Sequence, residues 1–585
     1  MNFNQIHQHA RPQHEGSGER VEEPRASATS QEPPALAGGY AANCRIAPPG
    51  QGRGLLPGVL AVVSLCLCGC AADRPLNVHV PKDVRLPDRA AVVFFIDGFG
   101  ETQFEQALAE GRIPNIAAHL LDRGVRVEKA VTCVPSITYA ISATFITGRL
   151  PGHHGIVSNK WFEPSTGRFQ NYCYIKTYQR VDQDYDESPT IYDILGRRVT
   201  VSIQTAIRRG VTHTIDNWAT SGINWFFGNT LGVDCLVAQR LELIAERTQG
   251  WGRWPDLIWV YFPGDDRIGH LHGPRSPQYA KAIANIDRQI GRVCDALADI
   301  GMYDRTCLCL VSDHGMVEVA PEQYFDIPAF LAERTGGRVW SNDYTEPGDE
   351  ERLLRDYDYA CAVSASRWAA VWPLPRVMQE PWLLADARSL LPSWVAEAID
   401  HPAVELAAVS FRPGRVHAFT KRGHALIVRH EGKPDRYAVY QRPGEEILDH
   451  ASADSGAGGA EFADSRQWLR LTADSRYPDF VPQIVAYFDS ERSGNIVFFA
   501  ADGWDFSKEN PRGGHGSILP GEMRVPMVLA GPGLSGAVRI PFARNTDVMP
   551  TLLHLLGAEP VLPDGTRVDI DGTNLLPSSA LGDGD

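Results

Sequence analysis

Positive charge is what this sequence is short of: 56 Lys and Arg stand against 71 Asp and Glu, for a formal net charge of −15. Without clustered cations there is no broad electrostatic pull on nucleic acid or anionic lipid. No nucleic-acid-binding surface is therefore expected, and an anionic ligand must be attracted locally, for instance by metal ions. No Cys-X-X-Cys pair is present to suggest a thiolate zinc site. Of the eleven Cys, Cys44, Cys66, Cys68 and Cys70 precede the foldable body, leaving an odd seven. Cys307 and Cys309 alternate along an apolar run and would share one face, the pattern of small buried hydrophobes rather than of a disulfide framework. There is no fixed-period internal repeat.

What is present begins with size: 585 residues at 43% hydrophobic content can bury a large core and exceed one ordinary domain. Residues 1–53 are rich in Gln, Glu, Pro, Gly, Ser and Ala without hydrophobic period, and read as a disordered extension. Arg53 followed by residues 54–70 has the charged, apolar, small-residue order of a secretory signal, and the apolar run at 55–67 is too short to span a bilayer comfortably. Its end, Leu67-Cys68-Gly69-Cys70, resembles a bacterial lipobox, which implies a lipid anchor at Cys70 and an exported protein on the periplasmic or cell-surface side. The long stretch ahead of the signal suggests a start codon assigned too far upstream.

The body alternates strands and helices. Residues 90–96 (AAVVFFI), 256–262 (DLIWVYF) and 306–311 (TCLCLV) are continuous apolar runs of the kind found in central parallel strands, and 496–500 (IVFFA) and 525–530 (VPMVLA) continue the series. Helical patterns lie between them at 113–123, 279–300 and 547–556. The expected fold class is α/β, a doubly wound, mostly parallel sheet, with ligands at the carboxyl ends of the strands. Residues 321–493 read differently: a Trp-rich stretch at 368–382, β segments at 416–420, 425–429 and 436–440, and a loop at 454–459. The expected organisation is a catalytic core in two parts, 85–320 and 494–575, around an inserted α+β cap at 321–493.

Chemistry gathers where the strands end. Asp266 and His270 are four apart and can meet on one helical face, a carboxylate and an imidazole that suit zinc. Asp313-His314, Asp97-Gly98 and Gly513-Gly514-His515-Gly516 are the other clusters, the last with glycines that allow close backbone approach. Each has a plainer reading alone: a helix cap for Asp97, a turn for Asp313, a surface imidazole for His515. Their joint occurrence in this order on expected strand ends favours a site.

Pro135-Ser136-Ile137-Thr138, the stretch from Thr147-Gly148 to His154-Gly155-Ile156, Met523-Arg524-Val525-Pro526, Gly531-Pro532-Gly533 and Asp547-Val548-Met549-Pro550-Thr551-Leu552 add to these clusters. Together they resemble the alkaline phosphatase superfamily, and within it the type I phosphodiesterase/nucleotide pyrophosphatase family, over roughly residues 90–319 and 495–556. The resemblance implies an alkaline-phosphatase-like sheet and two Zn2+, one held by Asp266, His270 and His515 and the other by Asp97, Asp313 and His314, with Thr138 at the second. It implies a Thr138 nucleophile, a covalent phosphothreonine released by water, and a small-molecule phosphate ester as substrate. Asn159, shortly after His154-Gly155-Ile156, fits the place of a phosphate-binding Asn; a turn residue is its plain alternative. Thr138 alone could be a helix cap.

Sulfatases put a modifiable Cys at the position that counting back from Thr147-Gly148 assigns to Thr138, so Cys133 is a bystander, and Ser142 stands where their Arg would be. Tyr139-Ala140-Ile141 departs from the Phe-Pro-Asn usual in nucleotide pyrophosphatases. Phosphomonoesters, phosphonates and phospholipid head groups thus remain open beside diesters and pyrophosphates, as does a catalytically silent surface binding protein. His153, His154 and His272 are expected to support packing, and Tyr172, Tyr174 and Trp225-Phe226 are candidates to line a leaving-group pocket.

Overall fold

The computed structural model describes residues 74–577 except 174–177, 186, 217–228, 342–344, 347, 379–390, 443, 445, 449–461, 510 and 535–537. The extension at 1–53, the signal segment with Cys70, the loop at 454–459 and Tyr174, Trp225, Phe226 and Trp382 lie outside the described residues.

Strand β1 (Ala90–Ile96) is fully buried and pairs in parallel with β2 (Leu257–Phe262) on one side and β3 (Thr306–Ser312) on the other. Beyond β2 the sheet continues in parallel through Thr200–Ile203 and His213–Ile215. Beyond β3 it turns mixed, because Met527–Ala530 runs antiparallel to β3 and Gly124–Val131 antiparallel to that. The run expected at 525–530 divides at Pro526 into Arg524–Val525 and Met527–Ala530, as a residue without an N–H requires. Continuous apolar runs are needed here because both faces are covered: Ala91, Val93 and Phe95 enter one core cluster, Val92, Phe94 and Ile96 another. Cys307 and Cys309 share the first of these faces, and they, like Cys133, Cys294 and Cys361, are buried and form no disulfide.

Register places the site. Ile96 is level with both Phe262 and Ser312, so Asp97, Pro263 and Asp313 leave the sheet side by side at its carboxyl edge.

Among the described residues a second sheet is built by strands from 321–493 together with Ile496–Ala500, with the expected β segments realised as Arg415–Thr420, Gly423–His430 and Lys433–Gln441. Ile496–Ala500, expected to rejoin the central sheet, instead lies in this second sheet, antiparallel between Trp368–Pro373 and Val404–Arg412. An apolar run buried on both faces fits the middle of either sheet, so the sequence pattern could not choose between them. Trp368 and Trp372 are fully buried in the core cluster that the central sheet also uses.

Candidate metal centre and nucleophile

Asp97 follows β1 and Asp313-His314 follow β3, while Asp266 and His270 lie one turn apart on α2 (Gly264–His272), the helix that leaves β2. His515 arrives on the loop after Gly513–Gly514. Oδ1 of Asp266 is 3.4 Å from Nε2 of His270 and 3.6 Å from Nε2 of His515. Nε2 of His314 is 3.3 Å from Oδ1 of Asp97 and 3.2 Å from Oδ2 of Asp313. All six residues paired in sequence therefore meet. Ligand atoms of Asp97, Asp313 and His314 lie within 4.8 Å of one another, as do those of Asp266, His314 and His515. His314 thus borders both groups, its ring stacked on His515 at 3.4 Å.

Each imidazole is turned the same way. Nδ1 of His270 is 2.8 Å from the Gly513 carbonyl, Nδ1 of His515 2.9 Å from that of Ser136, and Nδ1 of His314 3.1 Å from that of Gly315. A carbonyl only accepts, so the proton sits on Nδ1 and the lone pair on Nε2, facing the carboxylates; this is how protein groups prepare His to bind a metal. Burial pushes the His270 pKa down to about 4, and burial with the neighbouring His314 and His270 pushes His515 down as well, which keeps both neutral.

The carboxylates complete the fit. Oδ1 of Asp97, Oδ1 of Asp266 and Oδ2 of Asp313 are buried with no hydrogen-bond partner among the described residues. Burial, then the Asp97 charge, drives the pKa of both Asp266 and Asp313 upward. Three carboxylates, each with a buried oxygen that meets no hydrogen-bond donor among the described residues, face three imidazoles and lack a counter-charge that divalent cations would supply. The second oxygens of Asp97 and Asp313 are fixed: Tyr261 donates to Oδ2 of Asp97 at 2.5 Å, and Oδ1 of Asp313 accepts from Gly98 N at 3.0 Å. Asn545 donates to the Ser312 carbonyl and to Thr132 Oγ1, both at 3.0 Å, and Thr132 in turn donates to the Asp313 carbonyl. The expected close approach at the glycines is real, since a Cβ on Gly513 would lie 2.6 Å from the Gly269 carbonyl.

Thr138 opens α1 (Thr138–Thr147). It occupies the first helical position; Ile137 is the N-cap, so the capping alternative is not realised. Its Oγ1 lies 3.2 Å from Nε2 of His314, beside the Asp97 and Asp313 cluster, where the helix N-terminus also favours negative charge. Asn159 is half-buried nearby, and its Oδ1 accepts from Tyr139 N at 3.0 Å; among the described residues no protein group accepts from its Nδ2.

The remaining candidates are structural. His154 is buried against Thr144, with Nδ1 accepting from Ile156 N, and burial lowers its pKa to about 3. His153 bridges Asp489 and Asp571. His272 is exposed at the end of α2. Tyr172 does not face a pocket: it is fully buried, donates to Asp184 at 2.8 Å and accepts from Trp161 at 2.9 Å. Cys133 is buried in the core, and burial raises its pKa far above the usual thiol range. Tyr261, Asn545 and Thr132 were missed in the sequence, where nothing links them to the ligands they hold.

The family model of type I phosphodiesterases/nucleotide pyrophosphatases matches residues 91–373, a span containing Asp97, Thr138, Asp266, His270, Asp313 and His314. Over those residues the chain belongs to the type I phosphodiesterase/nucleotide pyrophosphatase family. It is 24% identical over 397 residues to an uncharacterized pyrophosphatase/phosphodiesterase of Schizosaccharomyces pombe, covering 62% of this chain and 77% of that one. Over 250 residues it is 23% identical to mouse ectonucleotide pyrophosphatase/phosphodiesterase family member 1, covering 42% of this chain but only 26% of that relative's length. The solved structure of murine ectonucleotide pyrophosphatase/phosphodiesterase 5 superposes with a TM-score of 0.51 at 16% identity, covering 83% of this chain and 98% of that one. An inactive threonine-to-alanine variant of that protein in complex with AMP matches with the same score. These two structures bear on the fold, which is the α/β arrangement expected. The chain is thus an enzyme of a metal-dependent family, with Asp/His groups that could bind metal.

Proposed function

We propose that the protein hydrolyses a phosphodiester or pyrophosphate bond of a small-molecule substrate, with Thr138 as nucleophile. The observation that carries this reading is Thr138 Oγ1 at the first position of α1, 3.2 Å from Nε2 of His314. Asp266, His270 and His515 would hold one Zn2+ and Asp97, Asp313 and His314 the other, a donor set that fits because three of its carboxylate oxygens are buried and unpartnered. Bound there, the ions would supply Lewis acidity for an in-line displacement at phosphorus. Thr138 Oγ1 attacks, the Oγ1–P bond forms as the bond to the leaving oxygen breaks, and water then attacks phosphorus and returns the hydroxyl. The N-terminus of α1 favours the charge that develops on Oγ1 and on the phosphoryl oxygens. Asn159, with Oδ1 engaged, offers Nδ2 to a non-bridging oxygen. The AMP complex of the murine relative's inactive variant agrees with a nucleotide-like substrate.

The test is turnover of bis-p-nitrophenyl phosphate and p-nitrophenyl phosphate by zinc-loaded protein and by Thr138→Ala. Diester turnover that exceeds monoester turnover, and falls on the order of 10⁴-fold in the variant, is expected. Preference for the monoester would instead give weight to the departure at Tyr139-Ala140-Ile141. No turnover of either by protein holding two zinc ions would favour a silent binding protein. We further infer export and a lipid anchor at Cys70, on the lipobox resemblance alone.

A further inference from the structure

Arg367 and Glu522 form an ion pair with no exposed side-chain surface. Nε of Arg367 donates to Oε1 of Glu522 at 2.8 Å, and its Nη atoms reach the carbonyls of Ala500, Ala501 and Trp504. A buried pair of this kind is weak evidence for stability, because well-packed apolar side chains often do as well. Its connections suggest another use. Glu522 Oε1 also accepts from Ser517 N at 2.9 Å, two residues beyond His515, and the Glu522 carbonyl accepts from Gly315 N at 2.8 Å, next to His314.

The backbone makes the same link. Arg367 N donates to the His515 carbonyl and His515 N to the Ala365 carbonyl, each at 3.2 Å. Arg367 lies just past the turn between Tyr359–Ser364 and Trp368–Pro373 of the second sheet, where Ala365 and Ser366 hold φ of 50° and 66°. That left-handed conformation is costly for side-chain-bearing residues and persists only where surroundings over-determine it. A Cβ on Gly514 would lie 2.4 Å from Ser366 Oγ, so the loop seats directly on this turn.

We propose that Arg367 and Glu522 are positioning residues of the metal centre, through which the second sheet holds the His515 loop and the backbone behind His314 at the spacing metal binding requires. This rests on the two-metal reading above. The pair touches neither substrate nor ion.

The experiment compares full-length wild-type protein with the double variant Arg367→Met/Glu522→Leu, which leaves no buried charge unpaired. Zinc affinity is read by chelator competition, the ligand field by the absorption spectrum of the Co2+-substituted protein, and the fold by urea unfolding. The expected result is a cooperative unfolding transition with a midpoint lowered by the lost bonds to Ser517 N and the three carbonyls, zinc affinity about 10–100-fold weaker, an altered Co2+ spectrum, and lower kcat at saturating zinc. A folded double variant with wild-type affinity and spectrum overturns the inference. Wild-type protein that binds no zinc overturns the two-metal reading, and this inference with it. If the double variant does not fold, Glu522→Gln, which keeps volume and an acceptor for Ser517 N, decides: a roughly tenfold weaker affinity supports the proposal, and an unchanged one overturns it.

Discussion

On the proposed function Asn159 has two roles, helix cap and phosphate ligand, that one substitution can separate. The N-cap of α1 is Ile137, which offers no side-chain acceptor, so the first turn of that helix borrows Oδ1 of Asn159 for Tyr139 N at 3.0 Å. Asn159→Ala removes that acceptor and should destabilise the protein by about 1 kcal/mol, the ordinary effect of losing a cap. Asn159→Asp keeps the acceptor and adds a negative charge at a helix N-terminus, which is neutral or stabilising by about 0.3–1 kcal/mol. The same change replaces the Nδ2 donor with an oxygen that repels phosphate. Loss of a hydrogen bond to a charged group costs about 1.5–3 kcal/mol, and at about 1.4 kcal/mol per factor of ten this lowers kcat/KM about 10–150-fold before repulsion is added. The assay is kcat/KM on bis-p-nitrophenyl phosphate with urea unfolding of the same zinc-loaded samples. The two variants should diverge, Ala losing stability and activity, Asp losing activity alone. An Asp variant within about threefold of wild-type kcat/KM would reduce Asn159 to a helix cap and refute the reasoning; the threshold is a fraction of the tenfold minimum.

His153 ties Asp489, itself paired with Arg429, to Asp571. Burial opposes its protonation, but the bonds to Asp489 and Asp571 outweigh it and raise the pKa from 6.5 to about 9. A folded-state pKa above the unfolded one stabilises fully below pH 6.5 and is lost as pH rises through 9, so His153→Gln should cost about 2–3 kcal/mol at pH 6 and little at pH 10. Urea unfolding at the two pH values checks this, and a pH-independent difference would count against the charged clamp. Cys70→Ser should move the protein from the membrane to the soluble fraction of expressing cells; continued membrane association would remove the anchor.

The legible part of the centre was the part written locally. Asp97 and Asp313-His314 end apolar runs, and Asp266 with His270 keep a helical spacing, so pattern and strand-end logic sufficed to bring them to one edge. The error over Ile496–Ala500 has the same root: five buried apolar residues describe a central strand without naming its neighbours. Tyr172 misled because an aromatic near a motif looks like a pocket wall, whereas its hydroxyl is committed to Asp184 and Trp161.

The sequence by itself determined that alternating strands and helices form a twice-covered sheet and that acidic and imidazole side chains end its strands. Those properties depend on hydrophobic period and on neighbours a few residues away. Only the tertiary structure decided which sheet receives Ile496–Ala500, that Tyr261 and Asn545 brace the ligands, and that Arg367 meets Glu522 across 155 residues. A buried donor must find an acceptor, but the chain length between them carries no period or spacing from which that partner can be read.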